Sequence, residues 1–231
     1  MLTIRWAEVA DAPELARLKR AVWPDDKPDP APIARVFNDT DRCTLVALED
    51  GVMAGFVDVF VTISAEGVTR WEIDLLAVHP RRRGHGIGQT LTRAACDEGA
   101  KRGLTLARAL THVQNTGVHR TFSACDFTSD HRVYGLYIAS GIVDNAVAAL
   151  PPGLHLFPVT TLNYCGLWLE GEIDAAGLAY AGRVRAHYGW ELAGAVIPED
   201  NTEATSAALR VGYEQVGLYY WWQKRLDVQK P

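Results

Sequence analysis

The stretch from Trp71 to Gly103, WEIDLLAVHPRRRGHGIGQTLTRAACDEGAKRG, reads as strand, basic glycine-rich turn and helix, and it constrains the fold of the whole chain. Trp71 to Val78 is a run of strand-forming residues that places Glu72 and Asp74 on one face by the period of two. Pro80 ends the run, because its ring removes a ladder donor. Ile87, Leu91, Ala94 and Ala95 then recur at helical spacing. Between them lie Arg81, Arg82, Arg83, Gly84, His85, Gly86, Ile87 and Gly88. Glycines there allow positive φ and close approach of backbone to a ligand, and the first amides of the helix have no internal partner. Such amides attract anions, and flanking arginines add forked donors suited to phosphate oxygens. The turn is therefore a phosphate cradle, unless it is only a helix start on a solvated basic loop.

Two phosphate motifs are excluded. A P-loop needs Gly-Lys-Ser/Thr, and a dinucleotide fingerprint needs Gly-x-Gly-x-x-Gly, whereas Gln89 stands where the third glycine belongs. The pattern Arg83-x-x-Gly86-x-Gly88 after Leu75-Leu76-Ala77-Val78 resembles the acetyl-CoA pyrophosphate loop of the GCN5-related N-acetyltransferases (GNAT). Asn115, Val118, Phe122 and Phe127 fall where that family has N-x-x-A-x-x-x-Y-x-x-x-G-F, and Ile4-Arg5-x-Ala7 with Asp11 looks like its opening. The resemblance implies a GNAT fold, α/β (α+β by some schemes), with a mixed central sheet and helices on both faces. It implies acetyl-CoA as cofactor, its pyrophosphate on Arg83, Gly84, His85, Gly86, Ile87, Gly88 and Gln89. Pantetheine would bond like an added strand to Leu76 and Val78, in the gap where the fourth and fifth strands part. Asn115 matches a position that touches the pantetheine arm, though asparagine suits a helix N-cap equally. Phe122 lines the same region.

The chemistry implied is attack of an amine on a thioester, which needs an unprotonated amine and a donor to the developing oxyanion near Leu76. Asp74 ranks first as base and Glu72 second, and either could instead solvate an open sheet face. Phe122 occupies the position where the family often supplies a tyrosine, and a phenyl ring has no proton to give. Tyr134, Tyr137 or His112 would have to substitute, or the thiolate leaves unassisted. An N-acetyltransferase acting on a small-molecule or protein amine is one reading. A non-catalytic acyl-CoA-binding or regulatory module is the other.

At 231 residues the chain exceeds an ordinary domain of about 150. A net charge of -5 argues against a nucleic-acid partner, and no apolar run is long enough for a membrane span. Cys43, Cys96, Cys125 and Cys165 are widely spaced with no metal-ligand pattern, as in reduced thiols of a cytoplasmic protein, and no metal is expected. Asp11 suggests an N-cap for the first helix. The prolines of Trp23 to Pro32 predict a loop before a short helix around Ile33 to Phe37. Glu49-Asp50-Gly51 predicts a hairpin between Thr44–Leu48 and Val52–Ile63. Arg132 to Ala139 reads as a sixth strand, and Asp144 to Gly153 as a linker. Beyond it, Asn201 to Tyr213 repeats Asn115 to Phe127 at an offset of 86 (201 − 115 and 213 − 127). The expected organisation is a GNAT domain at 1–145 and a degenerate α/β half-unit at 146–231 without a pyrophosphate loop. That half-unit would complete the sheet, wall the acceptor site or form a homodimer contact. Tyr219, Tyr220, Trp221 and Trp222 are its conspicuous aromatic run.

Overall fold

The computed structural model describes residues 1–141 and 149–227. They form one ten-stranded mixed sheet with helices on both faces, as the motif reading expected. In chain order the elements are β1 (Leu2–Trp6), α1 (Ala12–Val22), α2 (Pro30–Val36), β2 (Arg42–Glu49), β3 (Val52–Ile63), β4 (Thr69–Val78), α3 (Ile87–Lys101), β5 (Leu106–His112), α4 (Thr116–Ser123) and β6 (Tyr134–Ala139). After the undescribed 142–148 come β7 (Leu154–Thr160), β8 (Cys165–Gly171), α5 (Ala175–Tyr188), β9 (Leu192–Pro198), α6 (Thr202–Arg210) and β10 (Glu214–Arg225). Half of the predicted linker, 144–148, lies outside the described residues.

The strands alternate as a two-faced sheet requires. Leu45, Ala47, Val57 and Val59 face α3, while Val46, Phe56 and Ala77 pack beneath α1 and α2. Asp50 and Gly51 take φ of 51° and 82°, the mirror-image turn that matches strand twist. Two local expectations change. Asp11 does not cap α1 with its side chain; its carboxylate accepts two hydrogen bonds from Arg5 (2.6 and 2.8 Å). The helix predicted from Ile33 begins at Pro30, since prolines in a first turn forfeit no helical hydrogen bond and Asp29 caps the Ala31 amide at 2.9 Å.

The strand order is β1-β2-β3-β4-β5-β10-β6-β9-β8-β7. The two parallel pairs, β4/β5 and β8/β9, lie symmetrically about the central antiparallel pair β10/β6. The sequence offset of 86 is kept in three dimensions: β5 maps onto β9, and Asn115 and Asn201 cap the amides of Val118 (3.3 Å) and Ala204 (3.1 Å). The last strand thus leaves its own half and pairs with β5 along Tyr219–Arg225. A chain ending at Tyr213 leaves β5 and β6 without their shared neighbour. It is expected to lose the cooperative urea transition of the full chain, followed by far-UV circular dichroism.

Candidate active site

Strand β4 pairs with β5 only at Trp71, Glu72 and Ile73, opposite Ala107, Arg108 and Ala109. Past Ile73 the two strands part. On the other side, β3 pairs Asp58 with Leu75 and Val59 with Ile73, so Asp74 is the extra residue of a β-bulge. The bulge re-aims its carboxylate where the strands separate. The His79 amide donates to Ala54 of the β3 edge (2.8 Å), so strand parity turns the amides of Leu76 and Val78 into the gap.

That gap is a cleft of about 610 Å³ lined by Leu76, Asn115, Val118, Phe122 and, from the α1–α2 loop, Trp23 to Asp26. Phe122 is a buried wall with 1% exposure, its ring tilted against Phe127 at 4.9 Å between centroids. Asn115 spends its side-chain oxygen on the helix cap and still borders the cleft. Beyond β4 lies the turn Arg83 to Gln89. Gly84 and Gly86 adopt φ of 84° and 76°, and a Cβ built on either would meet no atom within 4 Å. Gly86 is the N-cap of α3 and supplies no side-chain cap, so the leading amides of the helix point outward unpaired. His85 is exposed, Ile87 is anchored in the core, and a Cβ built on Gly88 would meet Thr121 at 3.5 Å. Arg82 is paired with Glu49 (2.6 Å), and the Arg83 side chain donates to the Val78 carbonyl at 3.3 Å. At the equivalent place in the second half, Asp174 accepts from the Gly177 amide at 2.7 Å, and α5 is closed by its own side chain.

Asp74 also borders a second cavity, of about 250 Å³, on the side of Glu72, Arg108, Tyr164, Trp168, Glu170 and Trp221. It therefore stands on the wall shared by the two hollows. Its Oδ2 is buried with no hydrogen-bond partner. Burial first, and the nearby Asp58 charge second, push its carboxyl up to about 7, against the opposing pull of Arg42 and Lys19. Lys19 is itself 2% exposed, held by Asn163 and by Asp26 at 3.6 Å, and burial draws its ammonium down. Glu72, paired with Asp74 in the sequence reading, sits differently. Its carboxylate accepts from Arg108 (2.7 Å) and Thr62 (2.6 Å) and lies 3.3 Å from Arg70. With its oxygens committed to that ion-pair network, Glu72 builds a wall.

Of the groups considered as proton donors, Tyr137 packs its ring into the core around α5 and β9 and donates to Glu199, and neither it nor Tyr134 lines the cleft. His112 does, with its Nδ1 accepting from the Gln114 amide at 3.2 Å. Sequence reasoning missed Tyr219. It lines the cleft beside His112, their rings edge to face at 5.4 Å, and burial raises its phenol. The aromatic run was visible; its exchange into the other half of the sheet was not.

The family model for acetyltransferases of the GNAT family matches residues 10–127. The chain belongs to that family. A GCN5-related N-acetyltransferase from Sphaerobacter thermophilus superposes with TM-score 0.64 at 14% identity, covering 100% of this chain and 98% of that one. A tandem GNAT protein from the clavulanic acid biosynthesis pathway covers 100% of both chains at TM-score 0.60 and 14% identity. A putative acetyltransferase from Salmonella typhimurium, solved with its cofactor acetyl-CoA, covers 58% of this chain and 83% of its own, with TM-score 0.51 and 24% identity. No curated protein sequence matches this one. The whole-chain superpositions show the tandem GNAT fold.

A carboxyl whose pKa is higher in the folded than in the unfolded chain binds its proton more tightly when folded, so stability falls as pH rises between the two values. For Asp74 that window runs from about 4 to about 7. Asp74→Asn is expected to raise the thermal midpoint at pH 8 and leave it nearly unchanged at pH 4, as calorimetry at both pH values would show.

Proposed function

We propose that this chain is an acetyl-CoA-dependent N-acetyltransferase that acetylates a primary amine of a small molecule or protein. One observation carries the reading: the buried, unpartnered Oδ2 of Asp74 lies on the wall between the cleft and the second cavity. The family membership and the acetyl-CoA bound to the Salmonella relative support the choice of cofactor.

The residues fit the group. Gly84 and Gly86 leave open space for a diphosphate, the α3 amides and Arg83 supply its donors, and Leu76 and Val78 offer strand-like bonds to pantetheine. Bound there, acetyl-CoA supplies a thioester carbonyl to an attacking amine. Asp74 accepts the proton that the amine nitrogen sheds as its new bond to carbon forms. The Leu76 amide faces the gap as a donor for oxyanion charge. Tyr219 holds a proton in the same cleft for a departing thiolate and recovers one from solvent. An amine entering as ammonium gives its first proton to solvent, and Asp74 later passes the second there too; with one returned to Tyr219, each turnover forms an amide and a thiol and releases one proton.

The division into a GNAT unit at 1–145 and a degenerate half at 146–231 is part of the same proposal. The paired asparagine caps support a duplication, and the Asp174 cap supports loss of the second cradle.

With Asp74 as base, kcat/KM expressed per free amine should rise with unit slope up to pH about 7 and then level off. Asp74→Asn should lower it by about 100-fold or more. An unchanged pH profile in the variant would remove Asp74 from the chemistry. Tyr219→Phe should slow transfer from acetyl-CoA about tenfold or more, yet leave transfer from a thioester of an acidic aryl thiol unaffected, since that leaving group needs no proton. Gly86→Val fills the cradle and strains a φ of 76° by about 1–2 kcal/mol. It should abolish the calorimetric heat of CoA binding in a protein that keeps its circular dichroism spectrum.

A further inference from the structure

The 250 Å³ cavity is the second half's own cleft put to another use. Its wall of Val196, Ile197, Pro198 and Asn201 is the 86-residue image of Leu110, Thr111, His112 and Asn115 in the first cleft. Strands β8 and β9 pair from Gly166 to Leu169 and then part, as β4 and β5 do. With the Gly177 amide already taken by Asp174, this helix start has one donor fewer for a diphosphate, and the Asp174 charge opposes one. What the second half retains is a hollow that opens on Asp74 of the first.

The chemistry of its walls is specific. Phe60, Phe157, Tyr164, Trp168 and Trp221 give it flat aromatic surfaces. Its polar groups are largely committed to one another. Trp168 donates its indole N–H to the Tyr164 hydroxyl at 3.0 Å. Arg108 stacks over Trp221 at 4.2 Å and donates to Glu72 at 2.7 Å and to Glu170 at 3.1 Å, while Arg70 holds Glu170 at 2.8 Å. Two arginines thus balance two glutamates. Asp74 is left as the wall's one carboxyl with an unpartnered buried oxygen, and no lysine or unpaired arginine lines the cavity among the described residues.

We infer that this cavity is the acceptor site and takes a small primary amine with one ammonium group on a short arm and an aromatic or similarly flat apolar body. The ammonium faces Asp74, and the ring lies among the aromatic walls. A carboxylate on the same molecule would find no free cation there, so free amino acids are poor ligands. A polyamine would find a single carboxyl for several charges. This inference rests on the acetyl-transfer reading and names the substrate class of that site.

The test uses the full chain and four probes: 2-phenylethylamine, phenylalanine, spermidine and a short peptide with a free N-terminus. Calorimetry measures binding of each with and without CoA, and thiol release from acetyl-CoA measures turnover. The expected result is that 2-phenylethylamine binds and is acetylated with kcat/KM about tenfold or more above the other three. Val196→Trp, which fills the cavity from β9, should abolish that binding and leave the heat of CoA binding intact. Trp168→Ala, which strips one wall instead, should raise KM for the arylalkylamine about tenfold with a smaller change in kcat. Equal or better use of phenylalanine, spermidine or the peptide overturns the inference, as does unaltered amine binding in both folded variants. CoA heat without selective amine binding sinks the acceptor assignment alone, whereas absence of CoA heat sinks the acetyl-transfer reading with it.

Discussion

Beyond Ile73 the inner edge of β4 has no strand to bond to, and that local failure of pairing organises the molecule. Backbone amides removed from both water and partners are costly, so a gap of this kind persists only where a ligand or solvent satisfies them. The bulge at Asp74 sits at the fork and turns a carboxylate toward both hollows at once. The glycine-rich turn, the cleft and the second cavity all take their positions from this divergence. The ladder from β1 to β4 on one flank, and the packing of Trp71, Ile87, Leu91 and Ala95 beneath it, hold the fork rigid.

The two halves are joined by more than the sheet. Arg70 and Arg108 of the first half share Glu170 of the second, with Glu72 completing the set. Ion pairs drawn from water gain little net stability, because desolvation offsets most of their attraction. Their contribution is positional: they fix β8 opposite β4 at one separation and balance the charges of that wall. Lys19, Asn163 and Asp26 do similar work on the other side, joining α1, the loop before β8 and the proline-rich loop.

Features that depend on near neighbours were legible in the sequence. The hairpin at Asp50-Gly51, the strand ending at Val78 and the glycine-rich entry to α3 all follow from local steric rules. The repeat at an offset of 86 exposed the second half because the capping asparagines and the aromatic after each helix recur. Long-range pairing was not legible. An aromatic run such as Tyr219 to Trp222 suits a terminal strand without saying which edge it seeks, so nothing near Tyr219 in sequence places it beside His112. The same limit hid the pairing of Glu72 with Arg108, which lies 36 residues away in sequence and one strand away in space. Glu72 and Asp74 look alike by spacing; the bulge between their neighbours gives them different surroundings.

The placement of β10 has a consequence for biosynthesis. Residues 214–225 are synthesised after every other strand of the sheet, yet they belong in its middle, between β6 and β5, which begin 80 and 108 residues earlier (214 − 134 and 214 − 106). Until they arrive, both halves carry an exposed strand edge, and each waits with its apolar ladder open to wrong partners. Closure of the sheet therefore waits on the final strand, and during synthesis the edges of β5 and β6 stay unpaired for as long as the ribosome takes to add the intervening residues.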